Sequence, residues 1–257
     1  MKFTRSMLGI ALFGVFSLSQ AGLIYGTATD GNLYAIDTVT AGATLIGNHG
    51  MGLESLAFDD STGRLYGADS GGSLYELSTS TGAASLIGNT GLGNIEGMDF
   101  AAPGLLYGFD FATTPSIYTI DLSTATPTLF VTSDTNTGAV RTFCFNPDAS
   151  LALMATDAPN FQTLHGMGPS GVTTNIGGLG SEGVYGMDFI GNDLFGLGGA
   201  GELWSIDQFS GSKTLIGNTG GQFWLGAASV QAVPEPATLA AVGLGLLAVA
   251  RRRKKSA

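Results

Sequence analysis

Leu53-Glu54-Ser55-Leu56-Ala57-Phe58-Asp59-Asp60-Ser61-Thr62-Gly63-Arg64-Leu65-Tyr66-Gly67 is two apolar segments joined by a run of turn formers. The flanking segments are short and rich in apolar and aromatic residues, which predicts strands. Asp, Ser, Thr and Gly between them supply a tight reversal, because Asp and Ser accept turn N–H groups and Gly tolerates positive φ. Two further strand-like segments follow, Leu74–Leu77 and Ala84–Gly88. The stretch therefore opens a four-strand antiparallel unit.

The unit recurs. Tyr25-Gly26, Tyr66-Gly67 and Tyr107-Gly108 are evenly spaced, and Phe195-Gly196 follows two longer units later. Ile46-Gly47-Asn48 returns at Ile87-Gly88-Asn89 and Ile216-Gly217-Asn218, with Ile176-Gly177-Gly178 as a variant. Phe58, Phe100, Phe145 and Phe189 form another set, while Leu151–Ala155 replaces the Leu-Tyr-Gly segment in a degenerate unit. Units of about 40 residues with four strands each are the arithmetic of β-propeller blades, and the quoted stretch is similar to propeller repeats passing from the innermost strand to the second. With strands lettered A to D outward from the axis, Leu53–Phe58 is A, Arg64–Ala68 is B, Leu74–Leu77 is C and Ala84–Gly88 is D. The chain then opens with B, C and D of one blade, and Phe223–Val230 is the A strand that completes it. The expected fold is all-β, a five-bladed β-propeller over residues 22–232 whose first blade is closed by the C-terminal strand. A pair of β-sandwiches and a linear solenoid are the alternatives. An open stack would leave exposed sheet edges, which closure avoids.

The 41 glycines, about 16% of the 257 residues, are expected mainly as turn punctuation, as at Asp37–Gly42, where Gly supplies positive φ. No Gly-X-Y period supports a collagen rod. One cysteine excludes a disulfide framework, and no Cys/His cluster has zinc spacing. The formal charge of -10 conceals a sharper asymmetry. Between Gly22 and Ala232 only Arg64, Arg141 and Lys213 oppose 19 acids, a balance that argues against nucleic-acid binding.

The other basic residues sit at the ends. Lys2 and Arg5 precede an apolar run from Met7 to Leu18, and Ser19-Gln20-Ala21 places small residues at the -3 and -1 positions. This predicts a signal peptide over residues 1–21, cut by signal peptidase after Ala21. At the other end, Val233-Pro234-Glu235-Pro236 leads into an apolar segment, Ala237–Ala250, followed by Arg251, Arg252, Arg253, Lys254 and Lys255. As a helix that segment would be about 21 Å long, a short transmembrane helix that thins the bilayer or borrows its flanks. The basic tail stays cytoplasmic by the positive-inside rule.

Residues 233–257 resemble the PEP-CTERM sorting signal of Gram-negative bacteria: Pro-Glu-Pro, a short apolar helix, then an Arg-rich tail. The resemblance implies recognition by a membrane-embedded exosortase, a cysteine transpeptidase-like enzyme, after transient membrane insertion. It implies delivery to the cell surface or an extracellular polymer matrix.

Catalytic signals are weak. Gly178–Gly183 and Gly196–Gly201 match Gly-x-Gly-x-x-Gly, but strand-like segments follow where dinucleotide binding requires a helix. No Gly-x-Ser-x-Gly, phosphate loop or His-Glu-x-x-His occurs. His49 and His165 read as packing or surface residues, and Cys144 as a buried, inert thiol. Asp134-Thr135-Asn136-Thr137-Gly138 reads as a polar turn, lacking the remaining ligands of a calcium loop. Aligning the A strands on their terminal aromatics brings Glu54, Glu96 and Arg141 to equivalent positions, with Tyr185 beside them in the next unit and Trp224 or Leu225 in the last. These side chains are expected near one channel mouth, in an arrangement that suits a sugar, a cationic ligand or a metal. The blander expectation is a rim in which Arg141 bridges two acids between blades. No cofactor is expected and no catalytic residue is assigned. The function expected is an exported binding or structural module, with extracellular polysaccharide as a candidate partner. The alternative is a secreted glycan hydrolase or lyase using Glu54 and Glu96 as its acid/base pair.

Overall fold

A computed structural model describes residues 22–112, 114–157 and 161–231. The expected signal peptide and C-terminal helix lie outside these residues. Among those described, twenty strands form five four-stranded antiparallel sheets. β1 (Leu23–Ala28), β2 (Asn32–Asp37) and β3 (Ala43–Asn48) belong to the first blade. The second holds β4 (Leu53–Asp59), β5 (Arg64–Asp69), β6 (Ser73–Leu77) and β7 (Ala84–Asn89). The third holds β8 (Ile95–Ala102), β9 (Leu105–Asp110), β10 (Ser116–Ile120) and β11 (Pro127–Thr132). The fourth holds β12 (Val140–Phe145), β13 (Ala152–Asp157), β14 (Gln162–Met167) and β15 (Thr173–Gly180). The fifth holds β16 (Val184–Ile190), β17 (Asp193–Gly198), β18 (Glu202–Ile206) and β19 (Lys213–Asn218). β20 (Trp224–Val230) then pairs antiparallel with β1, from Leu23↔Val230 to Ala28↔Trp224, giving the order β20-β1-β2-β3.

The C-terminal strand thus completes the first blade, as the repeat arithmetic requires. Around the axis the innermost strands neighbour one another in the order β4, β8, β12, β16, β20 and back to β4. The ring is a closed five-bladed propeller.

Its core lies between blades. Five buried clusters occupy the five interfaces, one each. The recurrent aromatics build them: Phe58, Phe100 and Phe145 each pack on the B-strand tyrosine of the preceding blade, at 5.6, 5.7 and 5.1 Å between centroids from Tyr25, Tyr66 and Tyr107. In the degenerate fourth blade Leu153 and Met154 take the places of Tyr and Gly, and Leu153 joins Phe189 in the cluster against the fifth. Hydrogen bonds reinforce the innermost ring. Asp99 accepts from Phe100 N at 2.6 Å and from Phe145 N of the next blade at 2.7 Å. Asp188 does the same with Phe189 N and Ser229 N, at 2.7 and 2.6 Å. Each aspartate therefore staples one A strand to the next.

Two expectations about glycine need correction. In Asp37–Gly42 the positive φ of 58° belongs to Ala41, and Ala125 adopts the same 58° in the equivalent turn. The carboxylate of Asp37 holds that turn, accepting from Val39 N and Thr40 N at 2.9 and 2.8 Å. The second correction concerns the Ile-Gly-Asn repeat. Its glycine lies inside a D strand, where a Cβ on Gly47, Gly88 or Gly177 would strike Thr81 O, Thr124 O or Ser210 O in the next blade. These glycines are required by close approach of backbones rather than by a turn.

Candidate functional site

The A strands bring the aligned residues together through a repeated irregularity. In β4 the register passes from Leu53↔Asp69 to Ser55↔Ala68, leaving Glu54 as the extra residue of a β-bulge. The same skip isolates Glu96 in β8, Arg141 in β12, Tyr185 in β16 and Leu225 in β20. A bulge bends the strand and re-aims one side chain out of the ladder. Five bulges in register thus direct five side chains of four kinds toward one mouth of the channel. Leu225 is the fifth member. Trp224 belongs to the buried row of Leu53, Ile95, Val140 and Val184, and its Nε1 donates to Thr219 Oγ1 at 3.0 Å.

Arg141 is the electrostatic centre. Its Nε donates to Asp157 Oδ2 at 2.7 Å, and Nη1 lies 3.8 Å from Glu96 Oε1 in the neighbouring blade. The guanidinium also stands over the ring of Phe111, 5.1 Å from its centroid. Arg141 does bridge two acids, but one of them is Asp157. Sequence reasoning missed this residue, which lies one position beyond a repeated one: the acid three residues after the B-strand aromatic recurs at Asp69 and Asp110, and its counterpart in the fourth blade is Thr156. In those blades the acid serves its own turn, and Tyr75 and Tyr118 donate to it. His165 stands at the tyrosine position of the fourth blade and pairs at 3.1 Å with Thr156 Oγ1, which holds the place of Asp69, while Asp157, one residue further on, accepts from Gln162 at Oδ1 and from Arg141 at Oδ2.

Glu96 is only 7% exposed, and Asn94 Nδ2 donates to its Oε1 at 2.6 Å. Burial pushes its carboxyl up to about 7 against the lowering effect of Arg141, and the neighbouring charge of Glu54 adds to the rise. Glu54 is half-buried and is also raised, chiefly by burial, with Asp69 adding to the shift and Arg141 opposing it. Tyr185 packs on Phe223 at 4.9 Å, and Phe223 remains 39% exposed. The mouth therefore combines two uncomfortable carboxylates, a guanidinium already engaged by acids, and accessible aromatic faces.

The other sequence candidates lie elsewhere. His49 is buried, with Nε2 3.0 Å from Thr27 Oγ1, at the position that Thr90 and Thr219 hold in other blades. Cys144 is fully buried in β12 between Asp99 and Asp188 in the ring order, and burial pushes its thiol well above the ordinary value. Strands follow both glycine motifs, β16 and β18. The far mouth opens into a cavity of about 400 Å³ lined by Asp60, Asp99, Asp188 and the terminal phenylalanines. Among the described residues no group of three His, Cys, Asp or Glu side chains is placed to hold a metal, and no helix is long and apolar enough to cross a membrane.

Comparison with known proteins addresses the fold and the C-terminus. A chain in the crystal structure of a nidogen/laminin complex matches at 15% identity, covering 83% of this chain and 87% of that one, with a TM-score of 0.54. The WD40 β-propeller domain of Doa1 matches at 12% identity over 79% of this chain and 67% of that one, with a TM-score of 0.44. At such identity the first likeness concerns the fold alone. No curated protein matches the sequence. Residues 232–254 match the family profile of the PEP-CTERM protein-sorting motif, which implies export, transient membrane anchoring and processing by an exosortase. The chain thus carries a five-bladed β-propeller followed by a PEP-CTERM sorting motif.

Proposed function

We propose that the chain is a cell-surface or extracellular-matrix protein of a Gram-negative bacterium whose propeller is a binding module for extracellular polysaccharide. Signal peptidase removes residues 1–21 after Ala21, and an exosortase acts at Val233-Pro234-Glu235-Pro236 with the basic tail held on the cytoplasmic side. The propeller, left on the far side of the membrane, presents the mouth built by Glu54, Glu96, Arg141 and Tyr185. The observation that carries this reading is the sorting motif at residues 232–254 directly behind a closed ring with unlike polar and aromatic groups at one mouth. Pro234→Ala with Glu235→Ala tests the sorting half by cell fractionation. The expected result is retention of the variant in the inner membrane; unchanged surface release would overturn it.

A secreted glycan hydrolase or lyase is the second reading, favoured by the raised carboxyl of Glu96, which suits a general acid. Against it, Glu96 Oε1 is already engaged by Asn94 and Arg141. Retention of polysaccharide without release of reducing ends supports the binding module. Turnover abolished by either glutamate variant supports the enzyme.

A further inference from the structure

Resting on the reading of the bulge mouth as a saccharide site, we infer that its ligand class is an amino sugar: a saccharide whose protonated amine meets Glu54 and Glu96 while its ring lies against Tyr185 and Phe223. The first argument is charge. Each of the three basic side chains of the propeller is already committed. Arg64 pairs with Glu76 at 3.4 Å on the periphery, Lys213 stands over Trp204 at 4.5 Å, and Arg141 is held by Asp157 at 2.7 Å. Glu54 and Glu96 occupy equivalent bulge positions on adjacent blades, and their charges act on each other. Arg141 is shared between Asp157 and Glu96, so one guanidinium faces the three carboxylates of Glu54, Glu96 and Asp157. A ligand cation there relieves repulsion that the folded protein otherwise carries.

The second argument concerns the open valence. Glu96 Oε1 accepts from Asn94, but among the described residues Oε2 has no hydrogen-bond partner and is not sealed from solvent. A side chain more than nine-tenths buried thus offers one free carboxylate oxygen to the mouth. An ammonium group, with three donors, fits that acceptor and Glu54 together. A metal ion fits poorly, because no third His, Cys, Asp or Glu side chain among the described residues completes a ligand set.

The third argument selects a ring over a bare amine. Tyr185 and Phe223 lie 4.9 Å apart at 48°, and Phe223 is 39% exposed, so the pair presents apolar faces at the same mouth, with Tyr185 next to Arg141 in ring order and Phe223 preceding the A strand that neighbours that of Glu54. Apolar surface beside a few directional polar groups is the pattern of small-ligand sites. A hexosamine presents both an axial C–H face and an ammonium group.

The test is titration calorimetry on the full chain in mild detergent, with a glucosamine tetramer, an N-acetylglucosamine tetramer of equal length, and a lysine tetrapeptide. The expected result is at least tenfold tighter binding of the glucosamine tetramer than of either other probe. E54Q together with E96Q should remove that preference, and Y185L should weaken binding of the glucosamine tetramer at unchanged melting temperature. Equal affinity for the two saccharides overturns the amino-sugar inference while leaving a saccharide-binding mouth. Equal affinity for the lysine peptide overturns the saccharide part. Binding of neither saccharide overturns the inference and the reading beneath it. If the double variant melts early, E54Q alone carries the test, since Glu54 accepts no hydrogen bond among the described residues.

Discussion

The backbone carbonyl of Thr81 stands where a side chain on Gly47 would begin, so that a Cβ built on Gly47 falls 1.9 Å from that oxygen. Gly47 lies on the outer strand of the first blade and Thr81 in a turn of the second. The contact is therefore a seam between blades. Gly177 and Ser210 O repeat it at 2.0 Å, and Gly217 meets Ala41 Cβ at 2.9 Å. Closing five sheets into a ring brings backbones this close at the rim as well as the axis, and only glycine permits it.

Gly47→Ala should therefore destabilise the propeller by about 1–3 kcal/mol, the range for forced overpacking. In a domain of this size that lowers the melting temperature by several degrees. Gly52→Ala is the control, since nothing lies within 4 Å of the added Cβ. Thermal melts of the two variants side by side check the claim, and equal melting temperatures would refute the seam.

The spacing of Tyr-Gly and Ile-Gly-Asn made blade number and closure legible, because a repeat fixes strand order without any knowledge of contacts. The row Glu54, Glu96, Arg141 and Tyr185 was legible for the same reason. What stayed hidden was contact between repeats. The role of Gly47 depends on a turn about 34 residues away in the next blade. Asp157 lies one residue beyond the repeated acid position, so its partnership with Arg141 shows only in the folded chain. The bulges, too, leave no mark in the repeat: a skipped register becomes visible only when both strands are paired.

Trp224 closes the ring. It is fully buried, meets Tyr34 edge-on at 5.4 Å and donates to Thr219 Oγ1. Trp224→Ala should cost about 3–5 kcal/mol, as large aromatic truncations do. Deleting Trp224–Val230 removes the innermost strand of the first blade and leaves β1 as an unpaired edge. The deletion should aggregate or unfold, as read by light scattering and circular dichroism. A soluble, cooperatively melting deletion would show that the ring needs no closure.

Cys144 should be inert in the native state. It is fully buried, and both burial and the neighbouring Asp188 and Asp99 raise its thiol, so the reactive thiolate is scarce. A thiol reagent should label the folded protein no faster than it unfolds, with full labelling in denaturant. Rapid native labelling would mean that the channel admits reagents to β12.

Glu96 should make the propeller more stable in mild acid than in base. Its folded value of about 7 lies above the ordinary 4.5, so between these the folded state holds a proton that the unfolded chain has released. The resulting stabilisation is complete below about 4.5 and is lost as the pH rises through about 7. Asp188, raised to about 6, acts in the same direction, as does Asp99. His49 and His165 oppose them: burial lowers both, so their contribution is present above 6.5 and fades as the pH falls. Comparing wild type with Glu96→Gln isolates the one group, because the histidines and aspartates are common to both. Between pH 5 and 8 the wild type should lose about 2–3 kcal/mol more than the variant, from the size of the shift. Urea midpoints at several pH values measure the difference. Parallel curves would mean that Glu96 ionises at its ordinary value, with Arg141 and Asn94 fully offsetting its burial.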